Sequence, residues 1–207
     1  MFTMGVQERK ARHKEELRQE ILEVARKLFV EEGFKNVSMR RIAERIEYSP
    51  ATIYLHFKDK SELIFELCEE TFARLVERQE QLNERTYDSP IDFLREGLSG
   101  YVEFGVAHPD HYRVTFMMAD DEIDPSTYQS PDCMGMRAFG NLRAAVEACV
   151  QQGLFPKQNA DTAAQALWAG VHGLVSLYIV MPEFPWADRQ KVTETLISGL
   201  IEGLQAG

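Results

Sequence analysis

Residues 38–61 read SMRRIAERIEYSPATIYLHFKDKS, and the organisation of the whole chain follows from them. Ser38 suits a helix N-cap, because its hydroxyl can accept a hydrogen bond from an otherwise unpaired early backbone N–H. Met39, Ile42, Ala43 and Ile46 recur at helical spacing and give a short helix one apolar face. Glu47-Tyr48 breaks it. Ser49 can cap a second helix, and Pro50 fits its first turn, where a missing N–H costs nothing. Ile53 and Phe57, four residues apart, anchor the inner side of that helix. Two short helices joined by a tight turn outline a helix-turn-helix.

A second helix of this kind enters a major groove only if its exposed side chains are small or polar. Ser49, Ala51, Thr52, Tyr54 and His56 are left for groove and backbone. Arg40, Arg41 and Arg45 precede them, and Lys58 and Lys60 follow. The bland alternative is a solvated helical hairpin with ordinary surface charges.

Over Ile42-Ala43-Glu44, Ser49-Pro50-Ala51-Thr52-Ile53-Tyr54, His56-Phe57 and Lys58-Asp59-Lys60-Ser61-Glu62-Leu63, the chain resembles the TetR family of transcriptional regulators. The resemblance covers residues 15–65 closely. It implies a dimeric repressor whose second short helix reads an operator. The expected DNA-binding set is Ser38, Arg40, Arg41, Ser49, Pro50, Ala51, Thr52, Tyr54, His56, Lys58 and Lys60. In that set Tyr54, His56, Lys58 and Lys60 hold phosphates, while Arg40, Arg41, Ala51 and Thr52 approach bases. The family usually has glycine in the inter-helix turn, where this chain has Glu47. If the turn needs a positive φ, Glu47 carries strain of about 1 kcal/mol or more.

Bulk properties agree with one DNA-facing end. The net charge of −10 is unevenly spread: residues 1–60 hold 13 Lys and Arg against 10 Asp and Glu, and residues 61–207 hold 10 against 23. A weakly basic head on an acidic body suits a polyanion at one end only. A hydrophobic fraction of 44% is enough for a core. No apolar run is read as approaching the ~20 residues that span a bilayer, and the N-terminus lacks an apolar signal region. Cys68, Cys133 and Cys149 have no CxxC spacing, which suits reduced thiols in a cytoplasmic protein. GxSxG, GxxxxGK[ST], GxGxxG and HExxH are all missing, so the expectation is a protein that is not an enzyme and needs no cofactor.

Working outward, Leu17, Ile21, Val24, Leu28 and Phe29 make one stripe on a helix over about residues 8–32. Residues 1–7 are expected to be disordered, and Gly33 to end the helix as a left-handed C-cap. Arg9, Lys10, Arg12 and Lys14 form either a phosphate-touching arm or a solvated helix start. Ser61 is read as the cap of a long helix reaching about Arg85. Ser89-Pro90 opens the next, which stops near His108-Pro109, and a short helix follows over about 110–118. Residues 119–126 are too polar and turn-rich for anything but a loop. Further helices cover about 131–152, 159–181 and 187–204. Strand alternation and internal repeats are absent.

Trp168-Ala169-Gly170-Val171-His172-Gly173-Leu174 resembles the signature of the WHG ligand domain of a TetR subgroup. Ala163, Ala166, Gly170, Gly173, Ser198, Gly199 and Gly203 permit close helix approach, and glycine inside a helix costs about 1 kcal/mol relative to alanine. A homodimer through the last two helices gives those glycines a packing reason, with Val192, Leu196, Leu200 and Leu204 as the buried edge of the last helix. A pocket for an apolar or aromatic effector is expected from Tyr101, Phe104, Tyr112, Phe116, Met117, Phe139, Trp168, His172 and Tyr178, though each alone also fits ordinary core. His108 and His111 straddle Pro109, and the carboxylates of 120–124 lack an EF-hand pattern, so no metal site is assigned.

The reading is an all-α chain of about nine helices. Residues 8–60 form a helix-turn-helix DNA-binding domain, and residues 61–207 an effector-binding and dimerisation domain. The function read is that of a ligand-responsive repressor that binds a palindromic operator as a dimer. The rivals are a constitutive DNA-binding protein and a metal-responsive regulator.

Overall fold

A computed structural model describes residues 5–118, 130 and 132–206. Among these residues nine α-helices follow one another and no strand occurs. They are α1 Val6–Glu32, α2 Met39–Arg45, α3 Pro50–Tyr54, α4 Lys60–Leu82, α5 Pro90–Ala107, α6 Pro109–Phe116, α7 Met134–Gln151, α8 Ala160–Val180 and α9 Arg189–Ala206. The polar segment read as a loop over 119–126 lies outside the described residues.

Side-chain caps set most of the starts. The hydroxyls of Ser38, Ser49 and Ser89 accept from Arg41, Thr52 and Asp92 N–H groups, and the Asn159 amide oxygen accepts from Thr162. Two starts differ from the sequence reading. α1 begins at Val6, earlier than expected, because the Gly5 N–H donates to the Glu8 carboxylate at 2.9 Å. α4 is capped by Asp59 rather than Ser61: its Oδ1 accepts the Glu62 N–H at 2.8 Å. Gly33 does have a positive φ of 84°, but its ψ of 144° is extended, so it leaves the helix without a left-handed helical cap. The one-turn 3-10 helix that follows, Phe34–Asn36, is not evident in the sequence pattern.

Packing divides the chain into two compact units. The first holds the described residues up to Thr71 together with 110–118, and the second holds 72–109 and the described residues from 130 onward. The division falls inside α4, beyond the 60/61 boundary read from the sequence. The reason is that Leu63, Ile64 and Leu67 of α4, and Val114 of α6, are buried in the first unit's core. That core is otherwise built from Leu17, Ile21, Leu28 and Phe29 of α1, Ile42 and Ala43 of α2, and Ile53 and Phe57 around α3. Val24 is only partly buried at its edge. Arg26 is buried there as well, where burying an unpaired cation is costly. It is held between Glu23 at 2.7 Å and Glu70 at 2.5 Å.

In the second unit α8 packs against α5, α7 and α9. It is long and apolar enough to span a bilayer, contrary to the sequence reading. Its apolarity has a packing reason: Ala163, Ala164, Leu167, Val171, Leu174, Val175, Tyr178 and Ile179 are buried among its neighbours. In α9 Ile197 and Ile201 are buried, and Val192, Leu196, Leu200 and Leu204 are half-buried. Gly170 lets α9 pack closely inside the chain: an added Cβ would lie 2.6 Å from Leu200 Cδ1, and that side chain would have to shift. Cβ atoms at Gly173, Gly199 and Gly203 would meet nothing within 4 Å.

Candidate nucleic-acid interface

The site is a short helix fixed from below and bare above. Ile53 and Phe57 are fully buried, so α3 cannot roll. Ser49 fastens its start: Oγ accepts the Thr52 N–H at 3.2 Å and lies 2.9 Å from the Thr52 hydroxyl. The turn from α2 is closed by Tyr48 N–H donating to the Ala43 carbonyl at 3.0 Å. That closure takes Glu47 to φ 61°, the left-handed conformation that glycine would adopt freely. Ser49, Ala51, Tyr54 and Leu55 are then exposed together, with Arg40, Arg45 and Lys58 exposed around them.

Not every expected DNA contact is equally available. The Ser38 hydroxyl is occupied in capping α2, and Pro50 is half-buried at the first position of α3. Thr52 is half-buried, and its hydroxyl is engaged with Ser49. Arg41, expected at base edges, turns back onto α1. Its guanidinium donates to Glu32 at 2.7, 3.2 and 3.3 Å, which lowers the carboxyl pKa and raises that of the guanidinium. Lys60, expected on a phosphate, points inward instead. Its ammonium donates to the Phe34 carbonyl at 3.0 Å and lies 3.9 Å from the Phe34 ring centroid. His56 is half-buried, and its Nδ1 is buried without a hydrogen-bond partner among the described residues. Burial, then the charges of Lys14 and Arg18, depress its pKa. Leu55 went unassigned in the sequence, although its place four residues after Ala51 was a signal.

The expected effector residues are drawn from both units. Tyr112, Phe116 and Met117 lie on or just after α6, in the first unit, where the Tyr112 and Phe116 rings are 4.7 Å apart. The other six lie in the second unit. There Trp168 Nε1 donates to the Tyr101 hydroxyl at 3.1 Å, and that hydroxyl is 3.4 Å from His172 Nδ1. His172 Nε2 is 3.4 Å from the Ser176 hydroxyl, and Phe139 stands edge-on to Trp168. Burial lowers the His172 pKa. Phe104 packs on His108 instead. Tyr178 is used structurally: its hydroxyl donates to the Arg189 carbonyl at 3.2 Å and its ring meets Trp186. An open cleft of about 520 Å³ between α5 and α9 is lined by Tyr87, Arg95, Glu96, Glu194 and Ser198 among others, and none of the nine expected residues lies on it. Among the described residues no group of three or more His, Cys, Asp or Glu could hold a metal ion.

Comparison with known proteins agrees with this geometry. Residues 21–67 match the family model described as bacterial regulatory proteins, tetR family. Residues 94–200 match the model described as tetracyclin repressor-like, C-terminal domain. An HTH-type transcriptional regulator of Staphylococcus aureus (strain bovine RF122 / ET3-1) is 36% identical over 91 residues, 44% of this chain and 49% of its own length. The chain thus spans about half the length of the curated relatives it matches. The fold is similar to that of the TetR family regulator PfmR from Thermus thermophilus, with a TM-score of 0.71 and 23% identity over 89% of this chain and 98% of that one. It is also similar to FadR from Bacillus subtilis, solved in complex with stearoyl-CoA, with a TM-score of 0.74 and 18% identity over 89% and 98%. With a helix-turn-helix head and a tetracyclin repressor-like second half, the chain belongs to the TetR family of DNA-binding transcriptional regulators and is not an enzyme.

Proposed function

We propose that this regulator binds a palindromic operator as a homodimer, represses from it, and is released by a small apolar or aromatic effector in the cytoplasm. Residues 8–60, within the first unit, act in DNA binding, and the second unit acts in effector binding and dimerisation. The carrying observation is α3: braced beneath by Ile53 and Phe57, bare on its outer face, and framed by Arg40, Arg45 and Lys58. Two such helices would enter successive major grooves about 34–36 Å apart.

The dimer rests on α8 and α9. Gly173, Gly199 and Gly203 leave open surface, and Leu177 and Val180 beside them on α8 are 47% and 62% exposed. The effector reading rests on the Tyr101–Trp168–His172 cluster, a polar anchor inside an aromatic surround. The fold's similarity to a FadR that holds stearoyl-CoA supports an apolar ligand. α4 is continuous from the first unit into the second, so a shift of it would alter the spacing of the heads. Release follows only if the effector prefers the released spacing, since equal affinity for both states shifts nothing.

The test is selection of duplexes from a random pool by the purified chain, followed by titration of the selected complex with long-chain acyl and aromatic compounds. A two-fold symmetric sequence that dissociates on titration is expected. Symmetric binding that no compound relieves would leave a constitutive binder and remove the effector step.

A further inference from the structure

We infer that Leu55 reads a thymine methyl group in the major groove, setting a preference for a T·A pair at one position of each half-site. The inference rests on the duplex-reading role proposed above.

Leu55 is 77% exposed, more than any other large apolar side chain described. It follows α3 directly with helical backbone, φ −75° and ψ −17°. It therefore continues the face begun by Ala51 four residues earlier, opposite the buried Ile53 and Phe57. The two positions are one turn apart, a rise of about 6 Å, so both stay within reach of one groove.

The chemistry of that groove leaves a leucine one partner. Phosphates and hydrogen-bonding base edges offer nothing to an alkyl tip, whereas the thymine C5-methyl is apolar and projects there. The surroundings favour a polyanion, since Arg40, Arg45 and Lys58 are exposed on the same head. A protein partner would need about 1,000 Å² of buried surface, which Leu55 with the exposed Ala51 and Tyr54 does not supply. Polar readout is also depleted here: the Thr52 hydroxyl is engaged with Ser49, and the Arg41 guanidinium with Glu32. Apolar contact then carries a larger share of base discrimination than the count of polar side chains suggests.

The experiment takes the duplex selected by the full-length chain and replaces thymine by uracil one position at a time, which deletes only the methyl. Wild type should lose about fourfold in affinity at one position per half-site, the cost of one buried methyl-sized group. Leu55→Ala should bind the parent duplex about fourfold or more weakly and be indifferent to uracil at that position. A circular-dichroism melt checks that the variant folds, which an exposed site should allow. The inference is overturned if no thymine position is sensitive, if the sensitivity survives in Leu55→Ala, or if Leu55→Ala binds every duplex as wild type does. If wild type selects no duplex at all, the DNA reading itself fails first, and the two failures are told apart.

Discussion

Replacing Glu47 by glycine should stabilise the helix-turn-helix by about 0.5–1 kcal/mol. Glu47 sits at φ 61° with an exposed side chain, and the turn around it is held by backbone bonds: Glu47 N–H to Glu44 at 3.3 Å and Tyr48 N–H to Ala43 at 3.0 Å. A left-handed conformation costs an L-residue roughly 1–2 kcal/mol. Glycine removes that cost but restores about 0.5–1 kcal/mol of chain entropy to the unfolded state. The difference is the predicted gain, and it needs no new contact. Urea unfolding should show a midpoint about 0.3–0.5 M higher at unchanged slope, for a slope near 2 kcal/mol/M. Hydrogen exchange at the Tyr48 amide, whose bond closes the turn, should slow by about two- to fivefold. Glu47→Ala is the control, because it removes the carboxylate and keeps the demanding backbone. If alanine stabilises as much as glycine, the gain is electrostatic and the strain argument is wrong.

The two lysines after α3 should separate. Lys58→Ala should lower the slope of log affinity against log salt by about one, as one phosphate contact requires. Lys60→Ala should leave that slope unchanged and cost about 1–2 kcal/mol of stability, because the Phe34 carbonyl loses its charged donor; a reduced slope would return Lys60 to the DNA contacts. Gly173→Leu should fold and sediment as a monomer, since its added atoms meet open space within the chain. Gly170→Ala should remain dimeric and change stability little, because the gain of about 1 kcal/mol in helix propensity offsets the displacement of Leu200. A dimeric Gly173→Leu would move the interface off α8. Acidification should destabilise the second unit. Burial depresses the native His172 pKa below about 6.5, so below that pH the unfolded chain binds the extra proton, and the stability present above it is lost. The urea midpoint should therefore fall between about pH 7.5 and 5.5, and less so in His172→Gln. The depressed His56 acts in the same direction inside this window, and the depressed carboxyls of Glu23 and Glu32 below about pH 4.5 and outside it, so the difference between wild type and His172→Gln is what reports on His172. Equal pH dependence in wild type and variant would sink the assignment.

Local features were legible in the residues themselves. The serines at 38, 49 and 89, Asn159 and the prolines at 50 and 90 mark helix starts through contacts spanning three residues, so no knowledge of the rest of the fold is needed. The apolar stripe of α1 and the buried pair Ile53 and Phe57 follow from helical periodicity alone. Even the strain at Glu47 could be anticipated, because the turn's geometry demands a positive φ whatever residue occupies it. Tertiary structure alone decided which cations remain outward. Arg41 and Lys60 look like surface charges, but their partners lie 9 and 26 residues away and appear only when α1 and the 3-10 turn fold back. It also decided that Ile197 and Ile201, not the adjacent leucine row, face the core of the second unit, since both rows of α9 are apolar and periodicity cannot choose between them. The same holds for α6, whose composition does not say which unit hides it and whose Val114 is buried in the first unit's core. Composition says how much apolar surface a helix must hide, while the neighbours that hide it are set by the paths of the intervening chain.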